Sequence, residues 1–393
     1  MLKTYKYRLY PTKSQITKLE NTFSICRALY NYALEHRISS YNRGKSVNYY
    51  EQSASLPEIK KDFPWYKSVN AVVLQNVLKR LDTAYQNFFR RMKNDKVKST
   101  EKGFPKFKKR GQWNSILYSD KNKIKYPTDK LIVPSIGDVK IILHRPINGV
   151  IKNMSIIKEA NNWYVSFSVE LSNNATTELN VDTSKVVGID VGLIDYYYDS
   201  NGNSLKAPRL LRLAEKNIKR LQRKLKKCVK RSKEFYNVLK ALKTSHAKVK
   251  YKRLDFLYKT AYGLFSSNDL VVREDLKLTN LIKKPKPKLS EDGKTYLPNN
   301  ASSKAGMNKS FSDASFGRFF SILDEVAIKL GKMVIKVNPS YTSQDCSDCG
   351  NRIKKSLSTR THVCNECGLV LNRDHNASLN ILRLGLQSLG INS

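Results

Sequence analysis

The chain has 393 residues, 40% of them hydrophobic, enough for two or three domains with a sizeable core, which excludes a disordered tail. Lys and Arg number 72 against 33 Asp and Glu, and a formal charge of +39 calls for a polyanionic partner, of which nucleic acid fits best. No run of about 18 apolar residues predicts a membrane span, "MLKTYKYRLYPTK" lacks the apolar centre of a signal peptide, and CxxC pairs suit a reducing compartment, so a cytoplasmic, nucleoid-associated location is expected.

"LKTYKYRLY" alternates as a strand does, and Pro11 ends it. Thr12 and Gln15 then form a capping-box pattern, after which Ile16, Leu19, Phe23 and Cys26 give a helical face. The text stays helical to about residue 93, with Val73, Val77, Leu81 and Phe88 near one stripe. In "GFPKFKKRGQW", Lys106 and Lys108 interleave with Phe104, Phe107 and Trp113: cations for phosphates and rings for bases, or equally a solvated charge run. Residues 129–170 switch to period two, as in "NNWYVSFSVE", where Trp163, Val165, Phe167 and Val169 share a face. Turns at Pro134, Gly137, Asn148-Gly149 and Asn161-Asn162 predict a small β-barrel, into which the first strand pairs. The helical region is then an insertion.

"SKVVGIDVGLIDYYY" is a β-branched strand carrying Asp190, with a turn at Gly192. Over residues 209–231, Leu211, Ala214, Ile218, Leu221, Leu225 and Cys228 repeat at helical spacing, and the other faces are almost wholly basic. Arg220, Arg223 and Lys227 suit a helix lying along a nucleic-acid backbone, whereas a coiled-coil arm would alternate charge signs. "DLVVREDL" is a second apolar strand, carrying Glu274. Residues 283–309 read as a mobile polar loop, after which Ser312 or Asp313 caps a helix with Phe316, Phe320, Leu323, Ala327 and Leu330 inward. That helix ends at Gly331, and "KMVIKV" is another strand.

Cys346-x2-Cys349, fourteen residues, then Cys364-x2-Cys367 predicts one structural zinc held by four thiolates, with Gly350 and Gly368 letting each knuckle turn. His362 and His375 are not expected to be ligands, and Cys26 and Cys228 read as packing residues. Asp190 and Glu274 sit in apolar strands, and Asp374 opens a final helix, "DHNASLNILRL". Each has an ordinary explanation: a strand-end turn, an ion pair with Arg273, and a helix cap. Together, in so basic a chain, they suggest hard oxygen ligands for Mg2+ or Mn2+, with two ions about 4 Å apart hydrolysing phosphodiesters as in a ribonuclease H-type nuclease.

"GIDVGL", "VREDLKL", "YTSQDCSDCG" with "CNECG", and "NRDHNASLNI" resemble, in order and setting, the TnpB family of RNA-guided DNA endonucleases of insertion sequences, relatives of compact type V CRISPR effectors. "YRLYPTKSQ", "LDTAYQNFF" and "GFPKFKKR" extend the resemblance over nearly the whole chain. It implies an α/β multidomain fold: a RuvC-like nuclease at 183–340 and 373–393 with a zinc ribbon inserted at 341–372. A wedge β-barrel at 1–10 and 129–182 would carry an inserted helical recognition lobe at 11–128. Asp190, Glu274 and Asp374 would form the catalytic triad. Tyr50 and Gln75 would read a short target-adjacent motif, and a guide RNA encoded near the transposon end would read the rest of a double-stranded DNA target. A monomer is expected. An RNA-guided DNA-binding regulator without cleavage, or a transposase accessory protein, is the alternative.

Overall fold

The computed structural model describes residues 2–94, 103–119, 129–171, 182, 184–356 and 358–391, and the chain divides into two compact units, Met1–Ala175 and Thr176–Ser393. The first unit opens with β1 (Leu2–Tyr10), whose alternate residues Tyr5, Tyr7 and Leu9 are buried. Thr12 caps α1 (Lys13–Asn42): its side chain accepts from the Gln15 N–H, and its own N–H donates to the Gln15 side chain. Next come α2 (Tyr49–Ala54), α3 (Leu56–Asp62), a 3-10 turn (Pro64–Ser68) and α4 (Ala71–Met92).

β2 (Ser115–Tyr118), β3 (Lys130–Val133), β4 (Gly137–Ile142), β5 (Val150–Glu159) and β6 (Asn162–Glu170) join β1 in a six-stranded antiparallel sheet of order β2-β5-β6-β1-β4-β3. The first strand does pair into the sheet, between β6 and β4. β2 lies inside the stretch read as a helical lobe yet is a sheet strand, because Ile116 and Tyr118 alternate into the core. At the two edges of the sheet the end of β2 approaches the residue that follows β3, where the Tyr118 hydroxyl donates to the Pro134 carbonyl at 3.3 Å. Among the described residues no ladder joins β2 to β3. Trp163 stacks on Phe23 of α1 with ring centroids 5.4 Å apart, and one core holds sheet and helices together. Buried Arg37 of α1 ties in α2 and α4, donating to Gln52 at 2.9 Å and Asp82 at 3.0 Å.

In the second unit β7 (Val186–Val191), β8 (Asp195–Asp199) and β9 (Ser204–Lys206) form an antiparallel meander. α5 (Leu210–Lys227) and α6 (Lys233–Ser267) follow, then β10 (Leu270–Glu274), parallel to β7. Next are α7 (Leu278–Leu281), a hairpin of β11 (Lys288–Leu289) and β12 (Tyr296–Leu297), α8 (Ala301–Ala314), α9 (Phe316–Leu330) and β13 (Met333–Val337). The sheet order is β13-β10-β7-β8-β9. The cysteine region then forms the hairpin β14 (Thr361–Val363) and β15 (Val370–Asn372), and α10 (Arg373–Ser388) closes the chain. Both faces of the sheet are covered, which explains the unbroken apolar runs in β7 and β10. Val187, Ile189 and Val271 pack on Leu257, Phe265, Phe319 and Leu323 of α6 and α9, while Leu270, Val272 and Val337 pack on Ile381 of α10.

Two expectations are corrected here. Residues 283–309 are not an unstructured loop: they hold the β11–β12 hairpin and the start of α8. Lys304 and Asn308 of α8 fix it, donating to the carbonyls of Leu281 (2.6 Å) and Ile282 (2.8 Å) left open after α7. Nor do Ser312 or Asp313 cap α9, which starts from Ser315 in a left-handed conformation without a side-chain cap. Asp313 caps α5 instead, accepting from the N–H groups of Leu211 at 2.9 and 3.0 Å and Arg212 at 3.2 Å. Among the described residues no helix is long and apolar enough to cross a membrane.

Candidate active site

Successive side chains of a strand point to opposite faces, so Asp190 shares a face with Gly188, and Glu274 with Val272. That face is the one covered by α10, which approaches Gly188 through Ser378 and packs on Val272. β10 sets Val272 beside Gly188 and Arg273 beside Ile189, and one more step of that register brings Glu274 beside Asp190. Asp374 is the second residue of α10. Three carboxylates thus converge from two strand ends and one helix start.

Asp190 is held well above the usual carboxylate range, first by burial and then by the negative charges of Glu274 and Asp374. Burial also raises Glu274, opposed by the Thr342 hydroxyl, which donates to Oε1 at 2.5 Å. The ordinary explanations each give way. Asp190 lies within β7, opposite Tyr198, rather than in a turn. Arg273 stacks on Phe320 at 4.1 Å and donates to the Glu274 carbonyl at 3.0 Å, not to its carboxylate. Asn372 caps α10, accepting from the N–H groups of Asp374 (2.8 Å) and His375 (3.4 Å), and leaves the Asp374 carboxylate to other work. Arg360 stands 3.7 Å from it. Like charges gathered this way are what a divalent cation relieves.

The cysteines form two knuckles, each closed by a glycine: Gly350 N–H donates to the Cys346 carbonyl and Gly368 N–H to that of Cys364, both at 3.0 Å. Both glycines have positive φ, +77° and +75°, which other residues adopt only under strain. The four sulfurs lie within 4.8 Å of one another, with Cys346–Cys367 at 3.6 Å and Cys349–Cys364 at 3.5 Å. A tetrahedron of Zn–S bonds of about 2.3 Å has edges of about 3.8 Å, so the set fits zinc and leaves no ligand position open. Among the sulfurs Cys364 is pulled down to about 6, chiefly by the Cys367 backbone N–H, while Cys349 and Cys367 are raised, with the neighbouring sulfurs among the causes. Among the described residues this is the one such cage, and the three carboxylates are not drawn together so tightly. His375 stacks on Tyr198 with centroids 5.4 Å apart, and His362 is fully buried against Lys355.

Elsewhere α5 turns its apolar stripe toward α6 and leaves Arg220, Arg223 and Lys227 exposed. The helix ends at Lys227, short of the expected residue 231, because Cys228 turns extended at ψ 140°. In the first unit Lys106 is exposed, while Lys108 is anchored through its backbone to the Asn31 side chain at 2.8 and 3.0 Å. Tyr50 is 79% exposed on α2, and Gln75 is exposed on α4, against which α2 packs. Sequence reasoning missed Thr342, Asn372, Asn376 and Asn380. The Asn376/Asn380 pair carried a readable signal, since two amides four residues apart on the inward side of an apolar helix must find partners.

Three family models match: "Helix-turn-helix domain" over residues 1–46, "Probable transposase" over 166–284, and "Cas12f1-like, TNB domain" over 316–381. The first of these stretches is a strand and one long helix, β1 and α1. The third runs from α9 through both knuckles into α10. Among curated proteins, "Putative RNA-guided DNA endonuclease InsQ" of Escherichia coli (strain K12) is 29% identical over 98% of this chain and 92% of its own length. "TnpB-like protein L79" of Acanthamoeba polyphaga mimivirus is 24% identical over 97% of this chain and 73% of its own. These matches support the resemblance to the TnpB family. A solved structure of the mini-RNA-guided endonuclease CRISPR-Cas phi3 shares the fold, with a TM-score of 0.50 at 12% identity over 98% of this chain and 92% of that one. In this TnpB-like chain the carboxylate face and the thiolate cage are joined through one helix, α10.

Proposed function

We propose that this TnpB-like protein is an RNA-guided DNA endonuclease that cuts double-stranded DNA beside a short target-adjacent motif. The observation that carries the reading is the convergence of Asp190, Glu274 and Asp374 beneath α10 in a chain with a formal charge of +39. A relative matching 98% of the chain bears that activity in its name. The three carboxylates are the RuvC-like triad and would hold Mg2+ or Mn2+. Divalent cations bound there would activate a water and stabilise the departing 3′ oxygen of a phosphodiester. Asp190, most strongly pressed by its two neighbours, is the shared ligand. A single site of this kind cuts the two strands in turn.

The four thiolates hold a structural zinc and thereby fix where α10 begins. The sheet of the first unit acts as the wedge barrel and its helices as the recognition lobe, where Tyr50 and Gln75 read the flanking motif. Arg220, Arg223, Lys227, Lys106 and Lys108 neutralise RNA or DNA phosphates. Guide pairing reads the remaining sequence, with the guide encoded near the transposon end. The protein works as a monomer in the cytoplasm, where its DNA is.

Sequencing the RNA that copurifies, followed by cleavage of a plasmid library with randomised flanks, tests the reading. One dominant RNA and products sharing a flanking motif are expected, with none from Asp190→Ala. A heterogeneous RNA pool together with uncut plasmid would refute it.

A further inference from the structure

Glu274 is held by a residue far along the chain. The hydroxyl of Thr342, itself 4% exposed, donates to Glu274 Oε1 at 2.5 Å. The Pro339 carbonyl is 3.3 Å from the Thr342 hydroxyl oxygen, and a single hydroxyl proton goes to the shorter, charge-assisted partner. Thr342 belongs to the segment that leaves β13 and enters the first cysteine knuckle. Its carbonyl accepts from the Asn380 side-chain amide at 2.9 Å, and the same amide reaches the Asp345 carbonyl at 2.7 Å. One helical turn earlier, Asn376 donates to the Asp345 carbonyl at 2.8 Å and accepts from the Ser347 N–H at 3.0 Å.

Asn376 and Asn380 are 0% and 2% exposed. Buried amides are costly unless every bond is made, so this pair fixes the 342–347 segment firmly. Both asparagines project from α10, the helix that begins with Asp374. Cys346 lies inside the segment they clamp. Glu274, the helix of Asp374 and the first knuckle are therefore one hydrogen-bonded body.

We propose that Thr342 is a positioning residue for Glu274, and that Asn376 and Asn380 make the first cysteine knuckle part of the same support. The inference rests on the reading of Glu274 as a ligand of the divalent cation. The hydroxyl occupies one oxygen of the carboxylate and fixes its rotamer. A carboxylate free to rotate holds a cation less tightly, and loss of such an outer partner typically weakens metal affinity about 10-fold or more.

The test uses the full chain with its copurified guide RNA. Free Mn2+ is titrated by electron paramagnetic resonance, with guided cleavage as a second readout. Thr342→Val, which keeps the shape and removes the hydroxyl, should weaken Mn2+ binding about 10-fold. Thr342→Ser should bind as the unaltered protein does, and zinc content and RNA retention should not change in either. Glu274→Ala serves as the reference. If Glu274→Ala weakens Mn2+ binding and Thr342→Val does not, the inference falls while the ligand reading survives. If Glu274→Ala binds Mn2+ normally, both fall. Should Thr342→Val fail to fold by circular dichroism, Thr342→Ala takes its place: a loss of about 10-fold that Thr342→Ser does not share supports the role of the hydroxyl, and equal affinity of the Ala and Ser variants overturns it.

Discussion

Gly188 of β7 lies so close under Ser378 of α10 that a β-carbon at residue 188 would stand 2.3 Å from the Ser378 carbonyl oxygen. It would also meet Leu382 at 2.7 and 2.9 Å. Further along the same helix, a β-carbon on Gly385 would meet Val272 at 2.5 Å. These two glycines let α10 rest directly on the sheet face that carries Asp190 and Glu274. The helix backbone sits where side chains would otherwise be, and Asp374 is drawn in with it.

Gly188→Ala should therefore lift α10 and separate the carboxylates. Backbone atoms cannot move aside as a flexible side chain can, so a loss of about 1–3 kcal/mol or more is expected in denaturant unfolding, with a steep fall in guided cleavage. Gly306→Ala is the control, because its β-carbon would enter open space on α8. That change should be neutral or stabilise by about 0.4–1 kcal/mol. Equal stability of the two variants would disprove the close-packing argument.

Asp313 fixes the start of the basic helix α5. Besides the Leu211 and Arg212 N–H groups it accepts from Arg253 Nη2 at 3.0 Å, and its side chain is only 4% exposed. Asp313→Ala would strand Arg253 and uncap α5 together, and about 3 kcal/mol of destabilisation is expected. Proteolysis should then cut first near residue 210. A variant cleaved elsewhere and of unchanged stability would show that α5 is held by its apolar stripe on α6 alone.

Cys364→Ser should take the zinc content from one per chain to none. Removing one thiolate from a closed four-sulfur cage leaves too few ligands for tight binding, and the ribbon has little apolar core with which to fold alone. Hydrogen exchange should rise across residues 345–372 while the first unit stays protected. Retained zinc in this variant would show that a residue other than the four cysteines completes the site.

Much of this arrangement was legible in the sequence because local chemistry decided it. The Thr12–Gln15 capping box, the period-two stripe from Trp163 to Val169 and the knuckle glycines all formed as their spacing predicts. The sequence offers Asp313 as a cap for the helix that follows it, whereas it caps α5, since an N-cap rule looks only at the next few residues. Its partner lies about a hundred residues upstream, where no local pattern points. Residues 283–309 looked unstructured because their composition is polar, yet Lys304 and Asn308 bond carbonyls that the sequence does not advertise. Thr342 stood in a recognised motif without a role because its carboxylate partner comes from a distant strand.

The last prediction concerns Asp190 without metal. Burial and the charges of Glu274 and Asp374 raise its folded-state titration above the unfolded value. The folded protein thus binds protons more readily than the unfolded chain, and its contribution to stability falls as pH rises from about 4 through the raised folded value. With no divalent cation bound, ionising the cluster works against the fold. Asp190→Asn removes one of the clashing charges at nearly constant shape, so its melting temperature at pH 7.5, in chelator-free buffer without Mg2+ or Mn2+ so that the zinc stays bound, should exceed that of the unaltered protein by about 2–4 °C, the shift a gain of about 1 kcal/mol gives a domain of this size. The advantage should shrink as pH falls and be gone below about pH 3, where Asp190 is protonated in both states. Saturating Mn2+ should reverse the order, stabilising the unaltered protein more than the variant, because bound cations offset the repulsion that Asn no longer feels. Guided cleavage by Asp190→Asn should drop below about a thousandth while RNA and target binding persist. An Asp190→Asn protein that melts lower without Mg2+ or Mn2+ would mean that the carboxylate stabilises the strand and would overturn the repulsion argument, and equal stabilisation of both proteins by Mn2+ would remove Asp190 as a metal ligand.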